Sequence, residues 1–407
     1  MSLLKNIKSF SENEKLDSKK NELLQSFLKK GFPTTKDEDW KYTSLKRIIS
    51  NGFFVEGNGV KISKNDIHKY ALGFENTIIF LEGVLISKPS IEGVIVSDFS
   101  DFETKNNDSI SILNSALAKK GFTITVKNDT IVESPIEILF FSNTKNDNFV
   151  QHRNKIVVGD NSQIKFVERI QNLSNAKCFV NHFTQISVGE NANVEYNKIQ
   201  DNSTNSILID NMNIYQLKDS SAIVNTLIFG GEFTRNTLDF EQNGSNCESN
   251  MNGISILDNN QFADNHTFVD HKNPHCRSNE MYKGIYLGSS KGVFNGKIMV
   301  RPDAQKIDAF QANNNLLLSK SATIDSKPQL EIYADDVKCS HGCTIGQIDN
   351  DALFYMRSRG IKEKEANAVL TYAFASEAVN NITIPKVKKL AQKLIAKKLN
   401  VELDFNL

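Results

Sequence analysis

Two stretches of this chain are built alike. "VVGDNSQIKFVERI" and "SVGENANVEYNKIQ" each run from a β-type segment through a polar turn into a second β-type segment. Their equivalent glycines, Gly159 and Gly189, stand 30 residues apart. Weaker echoes follow in "LKDSSAIVNTLIF", "NGSNCESNMNGISI" and "LGSSKGVFNGKIMV". From about Phe122 to Asp335 the chain is a series of short β-type runs punctuated by Asn, Asp, Ser and Gly, without helical patterns between them. Strand, turn and strand recurring at a fixed period describe a solenoid, in which each coil buries its face against the next. Asn at such turns tolerates the left-handed conformation that sharp corners require. The fold class is therefore mainly β, and Ile156, Val158, Ile164 and Phe166 are expected to include inward positions. A β-sandwich is the competing reading.

The flanks read differently. "KKNELLQSFLKKGF" puts Leu23, Leu24, Phe27 and Leu28 on one helical stripe, with Gly31 as a stop. "FPTTKDEDWKYTSLKRIISNGF" carries acidic residues early and basic residues late, the order a helix dipole favours. A strand-like pair, "TIIFLEGVLIS" and "GVIVSDF", precedes another predicted helix, "SISILNSALAKKGF". After about Asp349 the pattern is helical again. Ala366, Val369, Leu370, Ala373 and Phe374 recur at helical spacing, and Gly360 separates two helices. Pro385 opens a basic helix with Val387, Leu390, Leu394 and Ile395 on one stripe. Three regions result: 1–122, mostly helical; 123–347, the β core; and 348–407, helical. The last helix reads equally as a packed element with a solvated Lys face or as a docking surface.

Charge narrows the function classes. Lys+Arg and Asp+Glu both number 48, which argues against a broad nucleic-acid or acidic-membrane footprint. No apolar run approaches the roughly 20 residues of a membrane span, and the first residues lack a secretory pattern. Five sparse cysteines do not make a disulfide framework, so a reducing, cytoplasmic setting is expected.

The chemistry concentrates in "DDVKCSHGCTIGQID", where Cys339, His341 and Cys343 fall at every second position. On a strand these side chains share a face. At roughly 3.3 Å per residue, Cys339 and Cys343 start about 13 Å apart. Two thiolates on one zinc ion would lie within about 4.6 Å of each other. A straight strand thus offers only a two-ligand half-site, unless Gly342 bends it, and the remaining ligands would come from elsewhere. By spacing alone a half-buried strand with small inward residues is slightly favoured. A second cluster, His266, His271, His275 and Cys276, matches no zinc spacing and reads as loop histidines near a coil corner. "GVFNGKI" lacks the spacing of a phosphate loop, and there is neither a GxSxG nor a GxGxxG motif. Asp335, Asp336, Asp349 and Asp351 are read as caps.

"KCSHGCTIGQIDNDALFYMRSRGI" resembles the signature of the SufB/SufD family of iron–sulfur cluster assembly proteins. "HKNPHCRSNEMYKG", "GVFNGKIMV", "AQKIDAFQANNNLLLS" and "KPQLEIYADDVKCSHG" resemble it in the same order, and "PTTKDEDWKYTSL" resembles the SufD branch. The resemblance implies a right-handed parallel β-helix core flanked by N-terminal and C-terminal helical regions. It implies a scaffold subunit rather than an enzyme, paired with a SufB-like protein and with the SufC ATPase bound through C-terminal helices at roughly 351–407. It implies a transient iron–sulfur cluster at the subunit interface, with His341 and Cys339 as the metal-binding and cluster-assembly positions. Cys343 departs from the family pattern, which has a small residue there, and the resemblance carries no function onto it. Alternatives are a SufB-type scaffold, a β-helix polysaccharide-active enzyme and a zinc-binding structural solenoid, with a homodimer open to the isolated chain.

Overall fold

The computed structural model describes residues 2–14, 16–55, 59–99 and 108–400. Its strands begin with β1 (Asn76–Leu81), β2 (Val84–Ser87), β3 (Val94–Phe99), β4 (Gly121–Val126), β5 (Ile136–Ser142), β6 (Asn148–Val158), β7 (Gln163–Asn172), β8 (Cys178–Val188), β9 (Asn193–Gln200) and β10 (Ser206–Gln216). They continue as β11 (Ser221–Ile228), β12 (Phe233–Gln242), β13 (Glu248–Leu257), β14 (Phe262–His271), β15 (Arg277–Tyr286), β16 (Lys291–Val300), β17 (Ile307–Leu317), β18 (Thr323–Ile332) and β19 (Val337–Gly346).

From β4 onward the even-numbered strands form one sheet and the odd-numbered strands the other, so the chain crosses between sheets at every corner. Each strand pairs in parallel with the strand one coil away. Ile156 lies against Ile186 and Val158 against Val188, while Phe166 lies against Tyr196. The 30-residue repeat is the length of one coil. The molecule is a parallel β-solenoid of about 8 turns, as expected, and not a sandwich. Antiparallel pairing is confined to β1–β2 and β3–β4 at the N-terminal end. Ile156, Val158, Ile164 and Phe166 are all buried in the central cluster.

The corners explain the Asn-rich punctuation. Asp129, Asn161, Asn191, Asp219, Asn246, His275 and Lys306 stack along one corner of successive coils, each with φ between 55° and 63°. Asn191 Nδ2 donates to Asn161 Oδ1 at 3.0 Å, and Asn161 Nδ2 donates to Asp129 Oδ1 at 2.8 Å. Side chains that bond along the stack offset the cost of the left-handed backbone. Gly159 and Gly189 serve a different need. A Cβ at Gly159 would come within 2.6 Å of the Asn128 backbone nitrogen, so only glycine lets the coils stack there. Asn191→Val should destabilise the fold by about 2 kcal/mol, because a β-branched residue is strained at this φ and the stacked bond is lost. Asn191→Gly should cost less than about 1 kcal/mol. Equal denaturation midpoints for the two variants would show that the corner conformation carries no cost.

Helices α1 (Leu3–Asn13), α2 (Ser18–Lys30), α3 (Lys46–Ile49), α4 (Lys64–Tyr70) and α5 (Ser109–Leu117) precede or interrupt the first coils. α2 ends at Gly31 as expected, with φ +74°. α5 is buried on all sides, between α2 and the even-numbered sheet. Its Asn114 Nδ2 donates to the carbonyls of His152 and Asn181, at 3.0 and 2.8 Å.

The charge-ordered stretch after Pro33 is not a continuous helix. It holds one 3₁₀ turn, Glu38–Trp40, and the short α3. Tertiary contacts override the charge order here. The Arg235 guanidinium lies 3.8 Å from the Trp40 ring centroid and donates to the Asp39 carbonyl, and the Thr43 hydroxyl donates to buried Asp264.

At the other end, α6 (Asn350–Ser358), α7 (Glu363–Val379) and α8 (Pro385–Leu399) follow β19. Gly360, with φ +88°, separates α6 from α7, and Pro385 opens α8, both as predicted. The stripe of α8 is used within the chain. Val387 and Ile395 are buried and Leu390 and Leu394 partly buried, against Val167, Ile199, Leu227 and Ile256 of the odd-numbered sheet. The α7 stripe is shifted from the predicted one. Its buried residues are Ala366, Thr371, Ala375, Ala378 and Val379, while Ala373 and Val369 face solvent. Residues 401–407 of the expected docking region lie outside the described residues. No helix among the described residues is long and apolar enough to cross a membrane.

Candidate functional site

The solenoid ends in two edge strands, β18 on one sheet and β19 on the other. β19 pairs with β17 without interruption from Val337 to Leu316's partner, Gly346, so Gly342 does not bend it. The straight-strand distance limit therefore holds, and Cys339 and Cys343 stand too far apart to close on one ion.

Register shows which way the motif faces. Cys339 lies over Ala309, His341 over Gln311 and Cys343 over Asn313. All three underlying residues are buried within the coil. The motif residues thus occupy the inward face of the last coil, where no further coil covers them. Cys339 is half-buried against the cluster around Ile307, and its thiol is pushed up by burial and by the carboxylate of Asp308. His341 and Cys343 are exposed. Cys343 Sγ donates to Ser326 Oγ of β18 at 3.2 Å, and Ser326 in turn donates to Asn313 Oδ1 at 2.9 Å. No group of three His, Cys, Asp or Glu poised for a metal occurs among the described residues. One imidazole and one half-buried thiol thus lie on the same face of an edge strand.

Two residues beneath it escaped the sequence reading. Gln311 and Glu280 sit in register directly below His341, one and two coils down. Gln311 Nε2 donates to Glu280 Oε2 at 2.7 Å, and burial pushes the Glu280 carboxyl up to about 7. Gln311 Oε1 is buried without a hydrogen-bond partner among the described residues, an acceptor one coil below His341. The signal that could have found them is their coil-length spacing from His341, which needs the register to be recognised.

The second histidine cluster is dispersed, and the loop reading fails for half of it: His266 and His271 lie within β14, and only His275 and Cys276 fall in the turn that follows. His266 faces outward beside Asp264 and Arg235, with Nε2 at 3.0 Å from Asp264 Oδ1. His271 points inward to Ser278 Oγ at 3.0 Å, and burial pushes it down to about 4. His275 stands at a corner and Cys276 is buried. Asp349 caps α6, accepting from the Asp351 backbone at 2.9 Å. Asp335 and Asp336 precede β19 instead of capping a helix. The glycines of "GVFNGKI" make room for neighbours inside the coil, Gly292 for Tyr286 and Gly296 for Gln311.

Residues 140–374 match the family described as SUF system FeS cluster assembly, SufBD core domain, and residues 4–138 match the SufBD protein N-terminal region. The chain belongs to the SufBD family. It is 30% identical to the iron–sulfur cluster assembly protein SufD of Escherichia coli over 96% of this chain and 94% of that protein. An iron–sulfur cluster assembly SufBD family protein of Synechocystis is 28% identical over 88% of this chain and 85% of its own length. SufD of Bacillus subtilis is 26% identical over 71% and 67%. Within the SufBD family the chain is most like SufD, the branch that the N-terminal motif indicated. The family match spans both the half-site strand and the coils that position it, and stops within α7.

Proposed function

We propose that the chain is a SufD-like scaffold subunit of the cytoplasm. It pairs with a SufB-like protein through its last coil and binds a SufC-like ATPase through its C-terminal helices. The observation that carries this reading is β19: an edge strand with His341 and Cys339 on the open face of the coil. Edge strands present unpaired backbone groups and are normally covered. A half-site also needs ligands from outside its own strand. One partner strand would meet both needs, and the iron–sulfur cluster built between the chains is cargo, held by few ligands so that it can leave. With no GxxxxGK[ST] loop in the chain, nucleotide hydrolysis falls to the ATPase partner. In isolation the same edge is open to a second copy.

In this reading the ATPase contact lies away from α8. Its apolar stripe is occupied, so removing the whole C-terminal region would bare the odd-numbered sheet. α6 has no buried residue and carries Phe354, 73% exposed, and Tyr355, 59% exposed. These two, with Val369, form the docking face of the proposal. Co-expression with SufB-like and SufC-like proteins tests both contacts. Ile345→Asp on β19 should lose the SufB-like partner and keep the ATPase. Phe354→Asp with Tyr355→Asp should do the reverse. If Ile345→Asp co-purifies with both partners at wild-type yield, β19 is not the joint.

A further inference from the structure

Cys247 and Cys276 lie one coil apart and take no part in the half-site. Each immediately precedes a strand, β13 and β15, whose first residues pair in register as Glu248 and Arg277. The two cysteines therefore stack at the same corner. Both are buried, at 1% and 0% exposure, yet Cys247 lies between exposed Asn246 and Glu248, and Cys276 between exposed His275 and Arg277. They sit one residue beneath the surface. The Cys247 backbone N–H donates to Cys276 Sγ at 3.4 Å. Both thiols reach the same carbonyl, Gly244 O, at 3.2 Å from Cys247 and 3.3 Å from Cys276.

The geometry points to a reversible redox site: Cys247 and Cys276 form a disulfide across two coils when the protein meets a peroxide. Adjacent strands lie about 4.8 Å apart, inside the Cα separation of roughly 4.4–6.8 Å that a disulfide spans. The pair also has an asymmetry that oxidation needs. The neighbouring Cys276 side chain lowers the Cys247 thiol to about 7, while Cys247 raises Cys276. Cys247 is then the nucleophile. Its thiolate attacks one peroxide oxygen, the O–O bond breaks, and the sulfenic acid forms as hydroxide leaves and takes up a proton to become water. The Cys276 sulfur attacks that sulfenic sulfur, the S–S bond forms, the S–O bond breaks, and the hydroxyl leaves as water with the Cys276 proton. Two thiols and one hydrogen peroxide give one disulfide and two waters. The product adds a covalent tie between two coils that are otherwise joined by strand pairing and side-chain contacts, and a low-molecular-weight dithiol reverses it.

Cys178 is the internal control. It is equally buried, burial pushes its thiol up to about 12, and it bonds to no other thiol. The full chain, reduced and then treated with hydrogen peroxide, is denatured, alkylated, digested and mapped by mass spectrometry. The expected result is a Cys247–Cys276 cross-linked peptide, Cys178 recovered as a free thiol, and a melting temperature raised by several degrees that returns on reduction. Cys247→Ser abolishes the cross-link and the shift. Cys276→Ser halts Cys247 at the sulfenic acid, which dimedone traps. Recovery of Cys247 and Cys276 as free thiols, while exposed Cys343 is oxidised, would overturn the proposal. So would oxidation of Cys178 at the same rate as the pair, because the reaction would then follow unfolding.

Discussion

Complexes carrying His341→Ala should purify at wild-type yield and contain little iron or sulfide. The His341 side chain is exposed on the open face of the last coil, and the residue pairs with Gln311 of β17 through its backbone, which an alanine keeps. Its removal should therefore cost the fold little. Imidazole is a good iron ligand whose second nitrogen can be fixed by a hydrogen bond, and the Gln311 amide oxygen, without a partner among the described residues, lies in register below. A half-site of two ligands that loses one retains a single thiol. Cys339→Ala should be milder, because Cys343 or solvent can stand in for one sulfur. The check is absorbance with iron and acid-labile sulfide assays on complexes purified anaerobically. Wild-type iron and sulfide in the His341→Ala complex would make the motif structural, the half-buried strand of the plainer reading.

The largest loss of stability should come from Lys198→Met, about 3–5 kcal/mol. Lys198 points into the solenoid from β9, 1% exposed, with its Nζ 2.8 Å from Asp210 Oδ2 of β10, which is wholly buried. The methionine fills the same space, so packing changes little. What changes is that the Asp210 carboxylate is left in the interior without its counter-charge. Lys198→Met combined with Asp210→Leu should recover most of the loss, since two apolar groups of similar size need no partner. Denaturant unfolding of the single and double variants distinguishes the cases. A double variant as unstable as the single one would mean that the side-chain shapes, and not the stranded charge, carry the effect.

That interior also marks where the sequence stopped being readable. The two good repeats were legible because both carry a glycine forced by close stacking and an Asn at the left-handed corner. Later coils keep the conformation and change the residue, to Asp219, His275 and Lys306, so the echo fades while the structure does not. Inward positions such as Glu168, His182 and Lys198 are buried and polar, which breaks the apolar alternation that announces a strand face. Tyr196 OH donates to Glu168 Oε2 at 2.7 Å, and His182 Nε2 lies 3.0 Å from the same oxygen, pairings that span successive coils and that no local pattern contains. The shared face of Cys339, His341 and Cys343 was legible from alternation along one strand. Gln311 and Glu280 were not, because their nearness to His341 is a property of register. The stretch around Trp40 and Thr43 is not one helix, although its charge order suits one, because these two residues are held by Arg235 and Asp264, far along the chain.

The stacked left-handed corners have a consequence for how such a chain can change over time. Asp129 and Asn161 are 32 residues apart, yet Asp219 and Asn246 are only 27 apart, and the same φ recurs at all four. Between these two coils the strands have the same total length, so the difference is taken up between strands. An insertion of one residue in a corner loop should be nearly silent. The same insertion inside β11 would send every later side chain of that strand to the opposite face. Lineages descended from a common solenoid should accordingly drift in length at the corners while their strands stay in step. An entire coil could be gained or lost in one genetic event with the terminal edge, and the residues it displays, carried along unchanged.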